Sequence, residues 1–147
     1  MAAITPITFD GNFKVLRNAT AQANVGQTDW VSVPSWAKYL VIYFNLTAVA
    51  GSTPLVDFKL QEADPVAKDD SYVLDFADWN GVTQHASALF SVIHVGPGIT
   101  GIADDDTAAV YKLNAILPPL LGFKTTFDRS QADETYTYTL AAKFSGR

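Results

Sequence analysis

Between Trp36 and Pro65 the chain alternates its side chains with a period of two, broken once by Ala50-Gly51-Ser52-Thr53-Pro54. Leu40, Ile42, Phe44 and Leu46 share one side, and Tyr39, Val41, Tyr43 and Asn45 the other. Past the break, Val56, Phe58 and Leu60 alternate with Asp57, Lys59 and Gln61. Successive side chains of a strand point to opposite faces, so this pattern predicts two half-buried strands. The break carries turn chemistry, because Gly tolerates positive φ and Pro fixes its own. The stretch reads as a central hairpin.

The same grammar continues outward. Residues 1–12, with Pro6 and Gly11, read as an extended N-terminal arm, and residues 13–147 as a single domain. Strands are predicted over Phe13 to Ala21 and over Asp29 to Val33, the latter stopped by Pro34. Another covers Tyr72, Leu74 and Phe76 and ends at an Asn80-Gly81 turn; the next is the apolar run Ala86 to Val95. The stretch Ala103 to Leu113 is ambiguous, since Asp104-Asp105-Asp106 suits a helix N-terminus while Val110 to Ala115 alternates like a strand. After Pro118-Pro119, a last hairpin pairs Phe123, Thr125 and Phe127 with Tyr136, Tyr138 and Leu140. Short strands with Gly, Pro and Asn punctuation predict an all-β antiparallel sandwich, jelly-roll-like, of roughly eight strands and little helix.

Composition excludes more than it assigns. With 147 residues the chain is long enough for one core without staples, and it has no cysteine for disulfide, thiolate or zinc-ribbon chemistry. Its 10 basic and 15 acidic residues leave a net charge of −5, and the basic ones are scattered singly, which argues against nucleic-acid binding. No apolar run approaches the roughly 20 residues of a membrane span, and no basic segment precedes an apolar one at the N-terminus. Charged residues make up only 17%, which suits a domain that lies against neighbours as well as an ordinary β domain.

No motif carries catalysis. Gly96-Pro97-Gly98-Ile99-Thr100-Gly101 matches G-x-G-x-x-G. However, three aspartates follow it and no acid stands at the ribose position, so it reads as a loop and no cofactor is expected. Asp104-Asp105-Asp106 lacks the glycine and glutamate of an EF-hand and reads as a solvated acidic loop. His85 and His94, the only histidines, lack zinc-site spacing, and neither Ser87 nor Ser91 sits in a nucleophile elbow. The chain is therefore read as a non-enzyme. Aromatic residues are the most suggestive feature. Tyr39 and Tyr43 lie opposite the apolar face of their strand, and with Trp79 they are the candidate interface residues; tyrosines among threonines and few charges resemble subunit interfaces.

The segments VPSWAKYLVIYFNLTAVAGSTPLVDFKLQEADP (Val33 to Pro65) and LPPLLGFKTTFDRSQADETYTYTLAAKF (Leu117 to Phe144) resemble small structural proteins of tailed bacteriophages. These belong to head-gene clusters and include capsid decoration, or cement, proteins. The likeness lies in a Pro-led strand, a Gly-Ser/Thr-Pro turn, an L-x-E-A-D strand end and a final Pro-led hairpin. It covers somewhat under half of the chain; Asp69 to Ile116 has no part in it. The resemblance implies a β-sandwich made in the host cytoplasm and carried on the virion head surface. There, as a homo-oligomer with a trimer favoured, it would clamp neighbouring subunits of the major capsid protein, without catalysis or cofactor. No contact residue carries over. Two other readings stand beside it: a phage tail component, and a carbohydrate-binding sandwich with Tyr39, Tyr43 or Trp79 as stacking platform.

Overall fold

The computed structural model describes residues 2–22, 26–50, 55–84, 89–99, 110–128 and 135–146. Among them are nine strands and no helix: β1 (Phe13–Gln22), β2 (Gly26–Ser32), β3 (Tyr39–Ala50), β4 (Leu55–Ala63), β5 (Val73–Gln84), β6 (Leu89–Gly96), β7 (Val110–Asn114), β8 (Leu120–Asp128) and β9 (Thr135–Ser145). They form a five-stranded sheet in the order β1-β9-β3-β6-β7 and a four-stranded sheet in the order β2-β8-β4-β5. All pairings are antiparallel except β6 with β7. With β7 set aside, the first, last, third and sixth strands share one sheet, and the second, seventh, fourth and fifth share the other. This is the strand order of a jelly roll. The additional strand β7 comes from the stretch that was ambiguous in the sequence, and its alternation settles Val110–Asn114 as strand; Asp104–Asp106 lie outside the described residues.

Two expected hairpins are not hairpins. β3 and β4 belong to different sheets, and so do β8 and β9. Alternation reports only that each strand buries one face. A partner alongside and a partner from the facing sheet, about 10 Å away, satisfy that requirement equally. The hairpin that does form joins β4 to β5. Nor does Asn80-Gly81 turn the chain. β5 runs through it, and the step from Val56 to Phe58 faces the longer step from Thr83 back to Trp79. The register shift leaves residues 80–82 as a bulge in β5, without partners in β4. A second shift, where Leu60 faces Ala77 and Gln61 faces Asp75, falls at Phe76 and exchanges the faces of β5. Leu74, opposite Glu62, is exposed, while Val73, opposite Ala63, packs in a separate cluster with Ile4, Trp30, Ala63 and Leu120.

The core lies between the sheets. Leu40, Ile42, Phe44 and Leu46 of β3, Ile93 and Val95 of β6, and Tyr136, Tyr138, Leu140 and Phe144 of β9 meet Val31, Leu60, Leu121 and Phe123 from the other sheet. Complete burial of each large apolar side chain contributes about 1.5–3 kcal/mol. Two hydroxyls in this core, Ser91 Oγ and Thr125 Oγ1, have no hydrogen-bond partner. An unpaired buried hydroxyl costs about 1–3 kcal/mol, so Thr125→Val should raise the urea midpoint by the equivalent of about 1 kcal/mol. An unchanged or lower midpoint would mean that the hydroxyl is satisfied in solution.

Polar groups close one side of the sandwich. Arg17 of β1 reaches across to Asp29 of β2, with Nη2 2.7 Å from Oδ1 and Nε 3.1 Å from Oδ2. The Tyr138 hydroxyl donates to Gln27 Oε1 at 3.3 Å. Burial, reinforced by the Asp29 carboxylate and partly offset by Arg17, pushes the Tyr138 phenol up to about 12. The folded value lies above the unfolded value of about 10, so this contribution is whole below pH 10 and lost as pH rises through 12. It amounts to about 2–3 kcal/mol. Urea titrations at pH 9 and pH 11.5 should show the stability falling, and Tyr138→Phe should blunt the fall; an identical fall in the variant would assign it to other groups.

The arm is extended and lies on its own sandwich. Ile7 N–H donates to Trp30 O and Ser32 N–H to Ile7 O, which covers the open edge of β2. Phe9 packs edge-on against Phe144, with ring centroids 4.8 Å apart, and Asn12 O accepts from Phe144 N–H. Nearer the N-terminus, Ile4 N–H donates to Lys68 O and Asp70 N–H to Ala2 O, so the arm braces the β4–β5 turn.

Candidate functional site

The outward face of the five-stranded sheet departs from ordinary sandwich chemistry. A solvated antiparallel face normally carries the polar half of the alternation. Here the register lines up Val15 of β1, Ala141 of β9, Tyr43 of β3 and Val92 of β6 in one cross-sheet row. The adjacent row is Phe13, Lys143, Val41, His94 and Lys112. Phe13 and Val15 are half-exposed, as is Phe90 further along β6, and the Phe13 and Tyr43 rings lie 6.5 Å apart. These side chains face outward because their strand neighbours Leu40, Ile42, Ile93, Val95 and Leu140 are all in the core.

Tyr39 and Tyr43 both stand on this face and, with Val41, His94, Ile99 and Lys143, line a depression of about 340 Å³. The Tyr39 ring lies over Gly96 of the neighbouring strand, where a Cβ would overlap the ring carbon Cδ1. Gly96→Ala should therefore cost about 1–3 kcal/mol, and Tyr39→Ala in the same chain should relieve it. A Gly96→Ala protein with the parent's melting temperature would show that the ring moves aside freely. The glycine-rich segment after β6 is a turn: Gly98, at φ 74, donates its N–H to Asn114 Oδ1 at 2.8 Å, and Gly96 O accepts from Ala115 N–H. No helix begins at Gly96–Ile99.

Trp79 is placed elsewhere. It lies on β5, at the edge of the four-stranded sheet and opposite Phe58, so it belongs to a different sheet from the two tyrosines. His94 is on the outward face beside Lys112, whereas His85, Ser87 and Asp104–Asp106 lie outside the described residues. Among the described residues no three His, Asp or Glu side chains gather as metal ligands. Compared with protein-family models, curated proteins and solved structures, the chain matches none.

A second group of exposed apolar side chains sits at the β4–β5 turn. Val66 is 89% exposed, Tyr72 73% and Leu74 65%. Around them Asp64 Oδ1 accepts from Val66 N–H, Asp69 Oδ1 from Ser71 N–H and Asp70 Oδ1 from Ala2 N–H, which shape the tip. Bonds from Ser71 hold the Asp69 carboxyl below its ordinary range, and Gln61, then Lys59, do the same for Asp75. The signal for the five-stranded face was present in sequence. Phe90, Val92 and His94 alternate with core residues in a strand apolar on both sides, and Phe13 and Val15 stand out of a Lys- and Arg-bearing strand.

Proposed function

We propose that this chain is a bacteriophage capsid decoration protein, bound to the outer surface of the assembled head and clamping neighbouring major capsid protein subunits. The observation that carries the proposal is the exposure of large apolar side chains at two separate places, the five-stranded face and the β4–β5 tip. Isolated exposed apolar residues are ordinary, but contiguous ones mark surfaces that are covered in an assembly. A protein that bridges neighbours needs more than one such surface. The jelly-roll order supports the reading by analogy, since viral shell proteins use it, as do lectins. On this reading the chain performs no reaction and works as a homo-oligomer, with a trimer expected.

The test mixes purified protein with undecorated heads and follows cosedimentation, together with immunogold labelling of particles from the source lysate. Saturable binding and label spread over heads are expected. Label on tails alone would move the protein to the tail, and no binding to heads would sink the proposal. The depression walled by Tyr39 and Tyr43 favours a second reading, a sugar-binding sandwich with those rings as platform. Glycan-array signal abolished by Tyr43→Ala would establish that reading, and a silent array would remove it.

A further inference from the structure

Charge is unevenly divided between the sheets. No acidic residue falls in β1, β3, β6, β7 or β9; their charged side chains are Lys14, Arg17, Lys112 and Lys143. Arg17 is turned inward onto Asp29, and Lys14 Nζ donates to Thr8 O, so Lys112 and Lys143 are the cations of the outward face, beside His94. The β4–β5 tip is the reverse. Between Glu62 and Asp75 it carries the carboxylates Glu62, Asp64, Asp69, Asp70 and Asp75 and one cation, Lys68; Asp75 is paired with Lys59 of β4 at 3.1 Å. It also bears Val66, Tyr72 and Leu74, among the most exposed large apolar side chains described.

From this complementarity we infer that the outward face of the five-stranded sheet is a docking platform for a second copy of this chain, occupied by that copy's β4–β5 tip. Apolar side chains would meet apolar ones, with the lysines of the platform facing the carboxylates of the tip. The two surfaces lie on different sheets, so one copy does not satisfy itself. Packing platform against platform would set Lys112 and Lys143 against their own copies, with no carboxylate on any of the five strands to pair them. Platform with tip is a heterologous contact, which closes into a ring or continues as a chain of copies according to its rotation. The hydrogen bonds from the N-terminal arm to residues 68–70 hold the tip in shape before docking, which lowers the ordering cost of association. The inference concerns contact between copies and does not depend on what the assembly decorates.

The experiment uses two surface variants. The platform variant carries Val92→Glu and Lys143→Glu; the tip variant carries Asp70→Lys and Leu74→Lys. Sedimentation velocity at about 100 µM populates even a micromolar contact. The parent is expected to associate, more strongly at low salt because the lysine–carboxylate attractions are screened at high salt. Each variant alone should lose at least about tenfold in association constant, a loss of about 1.4 kcal/mol or more. Mixed, they should form a capped one-to-one pair, since the tip variant keeps its platform and the platform variant keeps its tip. Melting curves matching the parent's confirm that both variants fold. A monomeric parent overturns the inference, as does a tip variant that still associates like the parent, which is the signature of platform-on-platform packing. A mixture that stays monomeric also overturns it. Head binding, measured on the same samples, judges the decoration reading separately: a monomeric parent that binds heads through the platform would keep that reading and discard this contact.

Discussion

Replacing Phe44 with alanine is expected to cost about 3–5 kcal/mol of folding stability. Phe44 is wholly buried at the centre of β3, paired with Ser91 on one side and Leu140 on the other. Its ring lies 5.3 Å from that of Tyr138. The strand is hydrogen-bonded on both sides, so its backbone has little freedom to collapse into the space left behind. The loss therefore combines the transfer energy of the ring with the cavity. In a chain of this length the melting temperature should fall by roughly 6–20 °C. Urea unfolding followed by tryptophan fluorescence measures it directly, and a loss below about 1 kcal/mol would mean that the two sheets do not enclose this ring.

Arg17→Met is expected to cost about 2–4 kcal/mol, by a different mechanism. Asp29 is only 7% exposed, and three hydrogen bonds from one guanidinium satisfy its carboxylate. Removing Arg17 strands that charge between the sheets. The Arg17 side chain is itself 33% exposed, so water takes up part of the deficit and the estimate sits below the full range for a buried pair. The hydrogen bond to Asp29 raises the guanidinium pKa, so the cation persists at any working pH. The double replacement Arg17→Met with Asp29→Leu should recover most of the loss, because it removes the unpaired charge along with its partner. A double variant no better than the single one would show that the pair supplies geometry as well, by tying β1 to β2.

Much of this architecture is written locally. The alternation of Leu40, Ile42, Phe44 and Leu46 placed β3 and its core face, and the tyrosines opposite them emerged on the outer face. Punctuation residues are less specific. Asn80-Gly81 has the chemistry of a turn, yet here it falls in a bulge, and only the pairing partner decides between them. At the β4–β5 turn the sequence is dominated by the carboxylates Asp64, Asp69 and Asp70. Those carboxylates bond to nearby backbone N–H groups, which leaves Val66 and Tyr72 standing out in solvent.

The division between the two sources of order follows from range. By itself the sequence determined that the chain is all-β, which face of most strands is apolar, and that no cysteine is present for disulfide or thiolate chemistry. Each of these depends on neighbours in the chain or on composition. The tertiary structure decided which strands are partners, that β3 and β4 part to opposite sheets, and that Trp79 stands on a different sheet from Tyr39 and Tyr43. It also decided that Val15, Tyr43 and Val92 form one continuous row. A strand's periodicity records that one side is buried but carries no label for what buries it. Partner choice is made by the packing of residues far apart in the chain, and the exposed row exists only once that choice has been made.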